Sequence, residues 1–449
     1  MATVTKKTTE TPRETLTPDE KMERRFAAWL ATPGIQFVSP EAEAEYKARI
    51  TRIIDAIQLK KTPDRVPVLP RFQLDGFPAA YCGYTPKDMW YDVDKAIDAA
   101  TRCTLELQFD VKIGASAPQG RVYEILEDKQ RKWPGHGVAD DGGMQFIEGE
   151  YMKADEYDAF ILDESDFRLR TYLPRTWGAA EPLKQLVVGN VRSFGLPEVQ
   201  AALRKLMEAG DETRRWEGKI AAANKKLTEL GFPSFGGPAA LGGAPFDQLG
   251  DNLRGQRGIV MDMFRQPQKL LEALDILTRK RLLRIRQSSA NVSPGSSPIV
   301  GFALHKGADG FMSDEQFRTF YWPSLRQICL ALIEEGFVPQ LRAQGGYNSR
   351  LEAIRDLPPG KVIWCFSDMD MERAKEVLGD IACLQGNVPL ALINTGTPEQ
   401  TADYCRRLID TAGKDGGFIL DTSGSIDNRG KVENVRAMIR CAKEDGVYS

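Results

Sequence analysis

The chain has 449 residues, and 60 Lys+Arg against 63 Asp+Glu leave a net charge of −3 at pH 7. Apolar residues make up 42% and charged residues 27%, which excludes a disordered chain, a collagen-like fibre and a small disulfide scaffold. With no basic surplus, no nucleic-acid partner is expected.

Residues 1–20 are rich in Thr, Lys, Glu and Pro and lack an apolar core, so a disordered tail is predicted and not a signal peptide. The rest, 21–449, is expected to form one domain. Ile50, Ile53, Ile54 and Ile57 fall at helical spacing and predict a helix over 40–60. Val66–Leu69 reads as a buried strand leading into Arg71, Gln73 and Asp75. Residues 86–106 read as helical, and Leu105–Asp110 as a second strand with an acid at its end. Residues 112–180 differ in texture and contain Trp133-Pro134-Gly135-His136-Gly137; an inserted cap of short strands or hairpins is predicted. Helical pattern returns at 196–230. Phe232–Pro238 then breaks into a Gly-rich loop, marking a tight connection or close backbone approach to a ligand, with Gly237 inside it.

From about residue 268 the alternation is regular. A helix around Leu270–Leu277 precedes a strand at 298–304. A helix through Leu325–Ile333, stopped by Gly336, precedes a strand at 337–342. Strands follow at 361–366, 381–385 and 416–420, with helices at 370–378, 398–411 and 432–445. Alternating strands and helices, with apolar strands, imply a parallel sheet buried on both faces, either a closed barrel or an open doubly wound sheet.

In both architectures chemistry gathers at the carboxyl ends of the strands. The polar residues standing there are Arg71, Gln73, Asp75, Asp110, His305, Arg342, Gln344, Asp368, Asp370, Asn387 and Asp421. Asp368 or Asp370 also suits a helix N-cap. Arg71 and Arg342 sit in or just after apolar strands, where an unpaired guanidinium is costly, so each needs a ligand or an internal partner. The chain has two histidines; His305 opens a Gly/Asp loop directly after a strand, and His136 lies in the insertion, where it could belong to a lid. No G-x-G-x-x-G follows a strand, and no G-x-x-x-x-G-K-[ST], H-E-x-x-H or G-x-S-x-G occurs. The seven cysteines are scattered without a C-x-x-C, the pattern of free thiols in a reducing compartment, so a cytoplasmic location is expected. No apolar run approaches a bilayer span, and no membrane partner is expected.

Several segments of the second half, in order, resemble the uroporphyrinogen decarboxylase superfamily, which includes corrinoid-dependent methyltransferases. They are Gly236–Leu241, Phe264–Pro267, Gly310–Phe317, Gln385–Pro389, Gly396–Glu399, Gly416–Leu420 and Glu433–Ala437. The resemblance implies an α/β fold, a (β/α)8 TIM barrel with its site at the carboxyl face, here with an N-terminal helical extension and the 112–180 insertion. In the methyltransferase branch, zinc is held by H-x-C after one strand and a Cys in the last glycine turn. The matching positions here read Arg342-Ala343-Gln344 and Gly424-Ser425, so no zinc site is expected; Asp, Glu and one His are the groups left to hold any other metal. The implied activity is methyl transfer between a small organic substrate, such as a methoxy-aromatic or phenol, and a corrinoid (cobalamin), either free or on a separate corrinoid protein. His305 is then the candidate acid or base. Asp110, Arg342 and Asp368 complete the catalytic set, while Arg71, Gln73, Gln344, Asn387, Asp421 and Gly237 contact substrate. Alternatives are a uroporphyrinogen decarboxylase-like carboxy-lyase, with Arg71 and Asp110 near the matching positions, or a non-catalytic barrel binding a corrinoid or a protein. Relatives of this kind often form homodimers.

Overall fold

Five strands define the centre of the fold in a computed structural model, which describes residues 16–115 and 118–448. They are preceded in the chain by a small sheet of β1 (Arg131–Pro134), β2 (Gly137–Val138) and β3 (Gln145–Phe146) in the insertion. The central strands are β4 (Ile299–Leu304), β5 (Val338–Gly346), β6 (Ile363–Asp368), β7 (Cys383–Val388) and β8 (Phe418–Thr422). They pair in sequence order and all in parallel, with helical segments in each connection. β7 and β8 are buried along their whole length, as a sheet covered on both faces requires.

Three extended segments continue from this sheet through a few backbone hydrogen bonds. Leu69 N donates to Leu420 O at 2.9 Å, Asp110 N to Val68 O at 3.2 Å, Lys112 N to Pro233 O at 2.9 Å and Gly237 N to Ile299 O at 2.7 Å. Pro67, Pro70, Pro233 and Pro238 lack the N–H that a regular ladder needs, which keeps these segments short and irregular.

Helix Pro40–Gln58 buries Ile50, Ile53 and Ile57 completely, as its spacing predicts. Helix Val93–Leu107 runs through the segment predicted as a strand from Leu105. Ala96, Ala99, Ala100, Cys103, Thr104 and Leu107 form one continuous buried face, and Gln108 ends the helix in the left-handed region (φ 57°). Residues 17–20 of the expected tail are ordered: Thr17 caps helix Pro18–Ala31 in a reciprocal capping box with Glu20. Residues 1–15 lie outside the described residues.

The insertion holds the expected short strands in β1–β3 but is mainly helical. It covers one side and is latched to the segment before helix Gly255–Arg265. Arg254, 2% exposed, is held by Asp262 and reaches Glu150 and the Met152 carbonyl. Tyr157 Oη donates to Asp262 at 2.8 Å, and Gln256 N donates to Glu148 at 2.6 Å. His136 stacks on Trp133 with centroids 4.2 Å apart, and Trp133 stacks in turn on Trp90. Helix Pro197–Glu229 returns the chain along the insertion, burying Val199, Ala202, Ala209, Trp216 and Leu227. No helix among the described residues is long and apolar enough to cross a membrane.

Candidate active site at the carboxyl ends of the strands

Ala303, Arg342, Cys365 and Gln385 stand side by side across β4 to β7, and Gln385 faces Ile419 of β8. Parallel neighbours at one level share a face, and the side chains bear this out. Gln340 Nε2, on β5, donates to Gln385 Oε1 on β7 at 2.7 Å, reaching past β6. Gln385 Nε2 donates to Asp421 Oδ2 at 2.9 Å. Asp421 is fully buried and also accepts from the Arg71 and Thr422 amides. Arg71 Nε lies 2.9 Å from Asp421 Oδ2 in an ion pair, and its Nη2 donates to Thr422 O at 2.8 Å. Burial raises the Asp421 pKa against the pull of Arg71. Asp421 therefore orients Arg71 and offers a ligand no open face.

Arg342 belongs to the same layer and differs in kind. Among the described residues its guanidinium has no hydrogen-bond or ion-pair partner. Gly301 on β4 leaves the space beside it: a Cβ there would stand 3.2 Å from Arg342 Nη1 and 3.5 Å from Gln340 Oε1. Burial lowers the Arg342 pKa, and Arg71 nearby acts in the same direction. The guanidinium thus packs over Gly301, and a partly buried cation without an internal partner is suited to an anionic ligand.

Directly after β4 stands His305, with a side chain 40% exposed. Its Nδ1 lies 2.7 Å from Asp251 Oδ2, and Lys306 Nζ pairs with the other Asp251 oxygen. The hydrogen bond to Asp251 raises the His305 pKa, against burial. Burial opposes ionisation of Asp251, but His305 and Lys306 outweigh it and hold that carboxyl below its ordinary range. Beneath this pair, Asp247 accepts from the His305 amide at 3.1 Å, the Lys306 amide at 2.9 Å and Tyr321 Oη at 2.7 Å. Its pKa is pushed up to about 6 by burial. With Nδ1 committed to Asp251, Nε2 is the nitrogen left for a substrate.

The sequence does not single out Asp247, Asp251, Lys306 or Tyr321. A signal was present: Asp247 and Asp251 are four residues apart just after Pro245, a spacing that places both on one helical face.

The other expected residues are distributed as follows. Gln73, Gln344 and Asp368 are exposed at strand ends, with no side-chain hydrogen-bond partner among the described residues. A bulge in β5 between Ala343 and Gly346, with Gly345 at φ 84°, shapes the backbone at Gln344. Asp370, not Asp368, caps helix Met371–Leu378 by accepting from the Glu372 and Arg373 amides. Three expectations are corrected. Asp110 is 1% exposed, and its oxygens are taken by Arg52, Arg65 and the Val68 amide, so it is an internal ion-pair hub. Gly237 packs at the start of β4, where a Cβ would lie 2.1 Å from Ser297 O; it serves close strand approach at the end of β4 opposite His305. Asn387 donates to Met369 O at 2.9 Å and lines a cavity of about 240 Å³ with Met369, Tyr404 and Arg407, apart from His305 and Arg342.

Comparison with known proteins follows the same part of the chain. Residues 239–445 match the family model for uroporphyrinogen decarboxylase (URO-D). Uroporphyrinogen decarboxylases of Aromatoleum aromaticum and of an Azoarcus species are each 24% identical over 252 residues, 56% of this chain. The match spans 66% and 65% of those relatives, just under two thirds of their length. A solved methyltransferase from Methanosarcina mazei superposes with a TM-score of 0.57 at 15% identity, over 88% of this chain and 98% of the other, and so shares the fold. The ordered strands and helices of the second half and these matches fall on the same part of the chain: residues 239–445 are similar to the uroporphyrinogen decarboxylase family.

Proposed function

We propose that the protein is a corrinoid-dependent methyltransferase acting on a small organic substrate at the carboxyl face of a (β/α)8 barrel. The hydrogen bonds from Gly237 to β4 and from Leu69 to β8 support closure of the sheet through the three irregular segments. The observation that carries the reading is the His305–Asp251 pair, 2.7 Å apart at the end of β4.

Displacing a methyl group from an ether oxygen requires a proton donor at that oxygen, because an alkoxide or phenolate leaves poorly. The C–O bond breaks with its electron pair remaining on oxygen, and His305 Nε2–H supplies the proton. Asp251 holds the ring and Lys306 holds Asp251, while Asp247, itself held by Tyr321, fixes the backbone beneath it. In the opposite direction, neutral His305 removes the proton from an acceptor hydroxyl. Arg342 stabilises negative charge on the substrate, and Asp421 keeps Arg71 in place.

A corrinoid fits the donor set at the mouth. Gln73, Gln344 and Asp368 are exposed and unpaired among the described residues, and amide and carboxylate groups suit an amide-fringed macrocycle. Bound there, free or on a separate corrinoid protein, the corrinoid supplies cobalt as methyl acceptor or donor. A decarboxylase is the second reading. It is favoured by the Arg71 and Arg342 pair, which would hold a carboxylate, and by the names of the curated relatives.

The test is a cobalt-spectrum assay. Protein is mixed with cob(I)alamin or methylcobalamin and a panel of methoxy-aromatics, phenols and thiols. Interconversion of the two cobalamins that is lost in His305→Ala supports the proposal. Release of CO₂ from a tetrapyrrole acetate without any cobalamin change would replace it with the decarboxylase reading.

A further inference from the structure

At the end of β4 opposite His305, two buried polar side chains lack a partner. Trp29 is 1% exposed and Thr32 is 5% exposed. Yet neither the Trp29 indole N–H nor the Thr32 hydroxyl has a hydrogen-bond partner among the described residues. Neither atom is sealed in the core. A buried indole N–H ordinarily finds an acceptor, and an orphaned hydroxyl is costly. Thr32 also ends helix Pro18–Ala31 in the left-handed region, at φ 38°. A β-branched residue seldom adopts that conformation, and strain of this kind collects at ligand clamps.

Both side chains line one cavity of about 620 Å³. Its walls include Tyr46 of helix Pro40–Gln58, the Gly236-Gly237-Pro238 loop and the Ser288–Ser297 connection into β4. Ser234, Ser288, Ser293 and Ser296 add hydroxyls without a hydrogen-bond partner among the described residues, and Asn291 adds an amide oxygen. Thr228 adds nothing, because its hydroxyl accepts from Lys112 Nζ at 2.5 Å and donates to Asn224 O at 2.9 Å. Among the described residues, no charged side chain lines the cavity.

This lining selects the ligand. A hydroxyl both donates and accepts, whereas an indole only donates, so the ligand needs acceptors and groups of both kinds. An ionised group entering here would lose hydration and meet no counter-charge. A volume in this range holds a small molecule of about one or two sugar rings. We infer that the cavity is a second binding site, for a neutral polyhydroxylated ligand of the sugar class. It is separated from His305 by the six residues of β4, a rise of about 20 Å. It is independent of the methyl-transfer reading, since no residue given a part in that reaction lines it.

The experiment titrates glucose and maltose into the full chain by calorimetry, with glucose 6-phosphate, gluconate and glucosamine as charged counterparts. The neutral sugars are expected to bind, and the charged ones about 10-fold or more weakly. Thr32→Val and Ser234→Ala each remove one hydroxyl and should weaken binding about 3- to 10-fold. Thr32→Gly should weaken binding without lowering the melting temperature, because it releases the strain as it removes the hydroxyl. That split separates a ligand contact from a purely structural residue. Binding by His305→Ala should match the wild type. The site is overturned by no saturable binding of either neutral sugar at millimolar concentration, or by charged sugars binding as tightly as neutral ones. Undiminished binding in all three cavity variants, or loss of binding in His305→Ala, would place the sugar elsewhere and overturn it equally.

Discussion

Two acid–arginine groups in this molecule look alike in sequence and differ in what they leave over. Around Asp110, one carboxylate meets two guanidiniums and a backbone amide, and Arg52 is further held by Asp64. Around Asp421, the carboxylate again meets arginine and backbone amides, but a second arginine, Arg342, stands nearby without a partner among the described residues. The first group is complete and belongs to the fold. The second leaves one guanidinium, partly open to solvent, without an internal partner among the described residues.

The comparison can be broken directly. Asp110→Ala leaves the partly buried Arg65 without its carboxylate and Arg52 with Asp64 alone, and is expected to cost about 3–5 kcal/mol of stability, read by urea denaturation. Arg342→Met removes an unpaired charge and is expected to leave stability unchanged or higher. Equal losses in the two variants would mean that Arg342 is structural after all. At the mouth, His305→Ala is expected to lower the methyl-transfer rate about 10²- to 10⁴-fold while the melting temperature is kept.

A smaller effect separates the ring from its carboxylate partner. Asp251 raises the His305 pKa, so the protonated acid persists to higher pH than a free imidazole would. Activity that uses this acid is full below the raised value and falls as pH rises through it. Asp251→Asn should move that fall to lower pH, measured as a pH–rate profile. The same linkage gives the pair a stability contribution that is present below the unfolded His pKa and lost as pH rises through the folded one. The smallest contrast lies between neighbours. Asp370→Ala removes a cap and should cost about 0.5–2 kcal/mol without changing activity. Asp368→Ala should change stability by less than about 0.5 kcal/mol, measured by thermal melting, and weaken ligand binding.

Much of this arrangement was legible in the chain. The repeating strands and helices from residue 268 onward carry their own apolar periods, and His305 and Asp368 fall at strand ends where counting along the chain puts them, whereas β5 runs on to Gly346 and holds Arg342 and Gln344 within it. What escaped has physical reasons. Leu105-Glu106-Leu107 alternates like a strand, but a helical face beginning at Ala96 runs through it. Asp110 at a strand end has the same local sequence signature whether it faces a ligand or two arginines contributed by distant segments; only tertiary packing distinguishes them. Asp247 and Asp251 reach His305 from more than fifty residues away, a partnership that strand-end reasoning does not inspect.

The latch between the insertion and Arg254 bears on how this scaffold can be remodelled. The segment it clamps, Gly250–Arg254, is the turn that carries Asp251. Replacing residues 118–180 by a short loop would therefore not merely uncover the mouth. It would release the turn that aims the carboxylate at the imidazole, so a trimmed chain should bind ligands readily yet lose control of its proton. An engineer wishing to widen the entrance should keep Glu150, Met152 and Tyr157 and shorten the segment elsewhere.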